Sequence, residues 1–300
     1  MGTCPTHYMR AYIELTKPRI TWLILMSTGI GYFFGLHGGA HWLEFLRNIH
    51  YLALFHTILG TGLIASGTAA LNQWYEREAD RHMRRTARRP LPEGRLTSGR
   101  ALAFGVALSV VGFAELWLGV NLLAAAIGAF TLGSYLFLYT PLKQRTWWST
   151  TIGAVPGAMP PVIGYAAAAG TLRPEAWVLA AILFLWQFPH FYSIAWMYKD
   201  DYARAGIRML PVVEPDGRST ARQIVLYGLA LIPVSLVPGI LGMSGRIYLL
   251  GALLLGMWFL YAGVRVALDR SVVRARGVLM ASVLYLPAIY GLMLIDRPGL

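Results

Sequence analysis

A chain of 300 residues with 56% hydrophobic and only 13% charged side chains, at a mean hydropathy of +0.52, is not a soluble globular domain. Lysine and arginine outnumber aspartate and glutamate 26 to 14, and the resulting formal charge of +12 invites a nucleic-acid reading. The placement of the charges excludes it, because they sit in the gaps between apolar windows and nearly all on alternate gaps.

Nine windows of about 20 residues almost free of charge predict nine transmembrane helices. They lie at roughly 20–36, 52–75, 101–119, 121–140, 148–169, 176–197, 223–242, 247–264 and 277–295, so the chain reads as one all-α polytopic domain over residues 1–300. The segment ahead of them, MGTCPTHYMR, is polar and not a signal peptide; MGTCPT fits the loose myristoylation pattern, which nine spans make superfluous. Cys4 is the single cysteine, so no disulfide within the chain and no CxxC pair is expected. His7, His37, His41, His50 and His56 have no compact metal-ligand spacing, and His82 reads as a solvated interface residue.

Lys17 and Arg19 precede the first span. The second contains Gly62, Ser66 and Ala70, a small-residue stripe that allows close helix approach with or without a ligand. It ends in LNQWYEREAD, where Asn72, Glu76 and Asp80 recur every four residues and share one slowly drifting helix face. Arg81, Arg84, Arg85, Arg88, Arg89, Arg95 and Arg100 fill the next gap. Glu115 falls at the outer rim of the third span, Lys143 and Arg145 follow the fourth, and Pro156, Pro160 and Pro161 distort the fifth. The sixth carries Gln187, Pro189 and His190 at membrane depth, with Pro189 expected to kink it, and ends in WMYKDDYAR. That ending echoes QWYEREADR of the second span: aromatic residues, then acids, then arginine. Arg204, Arg208, Arg218 and Arg222 come next, and Arg265, Arg270, Arg274 and Arg276 follow the eighth span; only Arg47, Arg173, Arg246 and Arg297 lie on the other face. This asymmetry puts the N-terminus and both acidic ends in the cytoplasm and the C-terminus outside.

An ordinary solvated helix end would account for Glu76 and Asp80 taken alone. Acids at a helix C-terminus oppose the macrodipole, however, and unpaired carboxylates at a membrane boundary are expensive. Asp200 and Asp201 repeat the oddity at the same depth. Two facing sets of carboxylates, Glu76 and Asp80 with Asp200 and Asp201, suit Mg²⁺, which takes oxygen ligands and leaves positions for phosphate. Lys143, Arg145, Lys199 and the Arg84–Arg89 run stand beside them, as a metal-bridged diphosphate requires. A substrate with an apolar tail and a diphosphate head, such as an isoprenoid diphosphate, fits that arrangement.

The stretches LTKPRI (15–20), NQWYEREADRHMRRTARRPLP (72–92), YTPLKQRTWWSTTIGAVPGAMPPVIGY (139–165) and WQFPHFYSIAWMYKDDYARAGIRMLPVV (186–213) together resemble the UbiA superfamily of membrane prenyltransferases, whose first motif is N-x₃-[DE]-x₃-D. Within it they are most similar to the branch that transfers a farnesyl group to haem. The resemblance implies a nine-helix bundle around a central cavity open to the cytoplasmic side. It implies Mg²⁺-dependent transfer from farnesyl diphosphate to a vinyl group of haem b, giving haem O for haem-copper oxidase assembly, with haem A synthase downstream. It carries the first motif onto Asn72, Glu76 and Asp80 and the second onto Asp200 and Asp201. Position 205 is alanine where the wider superfamily often has a second aspartate, D-x-x-x-D. Lys143, Arg145 and Lys199 correspond to diphosphate partners, and Arg85, Arg88 and Arg89 to a basic loop that holds either the diphosphate or haem propionates. Trp74, Tyr75, Trp196, Tyr198 and Tyr202 could shield an allylic cation with their ring faces, or simply mark the interface. His190 has three readings: a pocket contact to substrate, ligation of haem iron, or a neutral histidine bonded to a neighbouring helix.

Two other functions stay open: prenylation of an aromatic quinone precursor by the same fold, and a membrane transporter. A transporter would need charges or a broken-helix repeat near the midplane; here the charges crowd one surface. The bacterial inner membrane is the expected location, with no nucleic-acid partner.

Overall fold

The computed structural model describes residues 5–36 and 50–297. His37, His41 and Arg47, together with Cys4 and the last three residues, lie outside them, and so do the expectations placed there. The regular elements among the described residues are all helices: α1 (Pro5–Leu15), α2 (Pro18–Gly35), α3 (Tyr51–Arg81), α4 (Ser98–Gly119), α5 (Leu122–Leu142), α6 (Ser149–Ala169), α7 (Pro174–Met197), α8 (Lys199–Arg204), α9 (Leu210–Val213), α10 (Arg218–Ile240), α11 (Arg246–Leu268) and α12 (Val272–Ile295). Among them eight, α3 to α7 and α10 to α12, are long and apolar enough to cross a membrane, so the chain is a multi-pass membrane protein. α2 occupies the first expected span; it runs 18 residues, starts on Pro18 and Arg19, and packs inside the bundle against α3 and α6.

Local signals account for many ends. Thr97, Asn121 and Ser271 accept hydrogen bonds from the first-turn amides of α4, α5 and α12. The Asn121 amide also donates to the carbonyl of Ala166, 3.0 Å away, fixing α5 to α6. α6 breaks between Gly157 and Pro160, while α7 continues through Pro189 without ending. Residues Ser134–Tyr139 of α5 wind in wider π turns, where Thr140 donates to the carbonyl of Tyr135 at 2.8 Å.

Lipid gives apolar faces no incentive to leave it, so the bundle holds together through close backbone approach. α2 and α6 touch at Gly31, Gly35 and Gly164; a β-carbon on Gly31 would fall on the carbonyl of Pro161, and one on Gly164 on that of Thr28. α3 and α4 meet through Gly60, Gly67, Gly105 and Gly112. The expected stripe of Gly62, Ser66 and Ala70 is not that seam. Gly62 faces only the Leu25 side chain, and Ala70 packs with Ala11, Leu15, Leu91 and Leu96 under α1. The seam glycines recur every seven residues, Gly60 and Gly67 on α3 and Gly105 and Gly112 on α4, rather than every four.

Gly31→Ala and Gly164→Ala should each force α2 from α6 and destabilise the protein by about 1–3 kcal/mol, read as a lowered thermal midpoint in detergent. Gly29→Ala, with nothing within 4 Å of the new methyl, should leave the midpoint unchanged.

Candidate active site

α3 carries its acidic face out of the bundle core to one end of the molecule, where a cavity of about 700 Å³ opens. Asn72, Glu76 and Asp80 all line it and are almost wholly buried, at 1%, 8% and 0% exposure. Four-residue steps drift by about 40°, so a single helix can aim all three side chains into one space. Each has a cationic partner. Lys17 Nζ donates to Asn72 Oδ1 at 3.2 Å, Lys143 Nζ to Glu76 Oε1 at 2.7 Å, and Arg89 Nη1 to both Asp80 oxygens at 2.9 and 2.7 Å.

The partners arrive from three directions. Lys143 follows the π-wound end of α5, which also brings Tyr135 and Tyr139 to the cavity wall; the Lys143 ammonium lies 4.4 Å from the Tyr139 ring centre. Arg89 belongs to the loop after α3, where the Thr86 hydroxyl donates to the Asp80 carbonyl at 2.9 Å and thereby closes the helix end. Lys17 stands in the left-handed region, φ 48°, at the corner between α1 and α2, and this turns its side chain inward. Burial and the neighbouring charges of Arg89 and Lys143 push the Lys17 ammonium down to about 7, although Glu76 and Asp80 oppose the shift. Burial also acts against Lys143, but the Glu76 carboxylate beside it overrides that and holds it well above the usual lysine value.

The second acidic pair separates. Asp201 is buried and Asp200 exposed, and both line a neighbouring recess of about 560 Å³ with Arg84, Arg85, Tyr198 and Arg204. Arg204 pairs with Asp201, and the backbone amide of Arg85 donates to Asp201 Oδ2 at 3.4 Å. Both sit in the first turn of α8, where helix polarity favours acids. Arg85 lines both hollows; Arg88 lines the larger one.

Three candidates lie elsewhere. Arg145 is exposed and lines neither hollow, and Lys199 is folded over the Trp196 ring at 4.5 Å. His190 meets α12: its Nδ1 is 2.8 Å from Ser282 Oγ, and its ring stacks on Trp186 at 4.8 Å. The same Ser282 hydroxyl lies 2.7 Å from the Leu279 carbonyl, so His190 is tied to α12 through a shared serine. Gln187 likewise bonds across to Ala154 of α6. Glu115 pairs with His56 at 2.6 Å at the opposite end of the bundle from the cavity.

Sequence reading missed Lys17, Tyr135 and Tyr139 as site residues. Lys17 was visible only as a charge ahead of a span, and the two tyrosines carried no signal that set them apart from other residues of the fourth span. Among the described residues no three histidine, cysteine, aspartate or glutamate side chains are grouped to hold an ion. The donors that do face the cavity, Asn72, Glu76 and Asp80, are all hard oxygens, the set that suits Mg²⁺ when substrate phosphate completes its shell.

The UbiA prenyltransferase family model matches residues 24–284. A protoheme IX farnesyltransferase of Solibacter usitatus is 81% identical over 97% of this chain and 100% of its own length, and one of Koribacter versatilis 48% over 96% and 94%. Among solved structures, a digeranylgeranylglyceryl phosphate synthase superposes with a TM-score of 0.76 at 18% identity, covering 98% of this chain and 99% of its own. A UbiA homologue from Archaeoglobus fulgidus bound to GPP and Mg²⁺ gives 0.65 at 14%, covering 94% and 99%. At these identities the two structures establish the fold.

Lys143→Met should strand the Glu76 carboxylate and cost about 3 kcal/mol or more of stability. The double variant Lys143→Met/Glu76→Gln should regain most of it, and thermal midpoints of the two variants in detergent would show the difference.

Proposed function

The chain belongs to the UbiA prenyltransferase family, and on that premise we propose that it is the transferase that joins the farnesyl group of farnesyl diphosphate to a vinyl group of haem b, giving haem O. One observation carries the reading: a buried oxygen-donor face, Asn72–Glu76–Asp80, is opposed across one cavity by Lys17, Lys143 and Arg89. That is the charge pattern of a diphosphate site, and the 81% identical relative bears the name of the reaction.

Asn72, Glu76 and Asp80 would hold Mg²⁺, with Asp201 and Asp200 at the second recess as further candidate ligands. Bound there, the ion would supply Lewis acidity that weakens the bond to the departing diphosphate. Lys143 and Arg89 leave their carboxylates to grip phosphate oxygens and neutralise the charge that builds as the allylic C–O bond breaks. The electron pair of that bond goes to the diphosphate. The vinyl group then donates its π pair to the farnesyl carbon, water adds to the resulting cation, and a proton is released. The faces of Tyr135 and Tyr139 lie where they can stabilise the allylic charge. Ile20, Met83, Ile207 and Met209 give the same cavity an apolar wall for tail or porphyrin. The whole chain acts as one domain that crosses the bacterial inner membrane nine times, with the cavity and N-terminus cytoplasmic and the C-terminus outside. Haem A synthase takes the product.

Purified protein given haem b, farnesyl diphosphate and Mg²⁺ should release diphosphate and form haem O, and a chelator should stop both. Prenylation of an aromatic quinone precursor in place of haem b would replace the proposal, and no diphosphate release with any acceptor would end it. Glu76→Gln, Asp80→Asn and Asp201→Asn should each cut turnover per folded molecule about 10²-fold or more; near-normal rates in two of them would remove the two-motif metal site. For orientation, cysteine at position 85 should react with impermeant reagent only from the cytoplasmic face of sealed vesicles, and cysteine at position 245 only from outside.

A further inference from the structure

The cations lining the large cavity fall into three groups: Lys17 is bonded to Asn72, Lys143 and Arg89 to carboxylates, and Arg19, Arg85 and Arg88 are exposed. Lys143 and Arg89 are inside, each bonded to a buried carboxylate. Arg85 and Arg88 stand exposed at the mouth, and among the described residues neither guanidinium forms an ion pair with a carboxylate. We propose that Arg85 and Arg88 form a separate site for the two propionate carboxylates of the porphyrin acceptor. The inference rests on the proposed function and divides its two substrates between two sets of basic residues.

The backbone under the two arginines is fixed at both ends. The Arg85 amide is bonded to Asp201, the Thr86 hydroxyl to the Asp80 carbonyl, and Arg95 Nη2 donates to the Arg88 carbonyl at 2.8 Å. Arg95 is held in turn by Glu14 at 2.6 Å and Glu93 at 2.7 Å. The Arg85 guanidinium lies over the rings of Tyr198 and Tyr202, 5.3 and 6.0 Å from their centres, and donates to the Tyr202 hydroxyl at 3.3 Å. Ring faces orient a guanidinium and leave most of its donors open, so the fork is ready for a carboxylate. The acids nearby are engaged or turned away: Glu14 pairs with Arg95 and Arg10, Asp201 with Arg204, and Asp200 faces the other recess.

The chemistry of the acceptor agrees. Both propionates sit on one edge of the porphyrin and both vinyl groups on the opposite half of the ring. Ionised propionates resist entering an apolar cavity. Anchoring them at the rim therefore sends the vinyl edge inward, past Met83, Ile207 and Met209, toward the Glu76–Asp80 face.

The test is equilibrium binding in detergent of haem b, haem b dimethyl ester and a farnesyl thiodiphosphate analogue with Mg²⁺. Arg85→Gln/Arg88→Gln should weaken haem b about 10- to 100-fold, the scale for losing charge-assisted hydrogen bonds. It should leave the ester and the farnesyl analogue unchanged, and Arg85→Lys/Arg88→Lys should restore part of the haem b affinity. Lys143→Gln should do the reverse, weakening the analogue and sparing haem b. Equal losses for haem b and its ester would overturn the inference, as would loss of the analogue with haem b retained. Wild-type protein that binds no haem b at all would bring down the proposed function itself, and this site with it.

Discussion

One end of this protein is organised by the need to neutralise two carboxylates buried at the end of a membrane helix. Glu76 and Asp80 occupy the last turns of α3, where the helix carbonyls already make the potential negative. Leaving either charge unpaired there would be expensive. Lys143 must come from the end of α5 and Arg89 from the loop beyond α3, and meeting those demands draws distant parts of the chain to one point. The same loop then reaches Asp201 of α8 through the Arg85 amide and α1 through Arg95 and Glu14.

Below this rim the molecule is held differently. Glycine contacts bring α2 against α6 and α3 against α4, and these seams leave no room for adjustment. Deeper polar groups are matched between helices: Tyr248 donates to the Ser235 carbonyl at 2.6 Å, and Ser235 and Tyr285 share a hydrogen bond at 2.8 Å. His190 with Ser282 and Gln187 with Ala154 belong to this set. The membrane half is thus a fixed frame, and the rim is held by ion pairs.

The sequence by itself determined the all-helical membrane class and the acidic face of α3. Each follows from a property that is local along the chain: hydropathy over one span, charge in one gap, or side-chain period on one helix. Glu76, Asp80, Lys143 and Arg89 were legible for that reason, and the structure brings all four to one cavity. Only the tertiary structure decided which way other residues face. Lys17 enters the site because a left-handed corner turns it inward, and Tyr135 and Tyr139 because π turns redirect them. Lys199 leaves it for Trp196, Arg145 for the surface, and His190 for Ser282. Glycine spacing showed that α3 packs closely but not where, since the seam depends on the crossing of two helices. A helix face is written in one segment; the neighbour it meets is set by how all the segments pack, and no single stretch of sequence contains that.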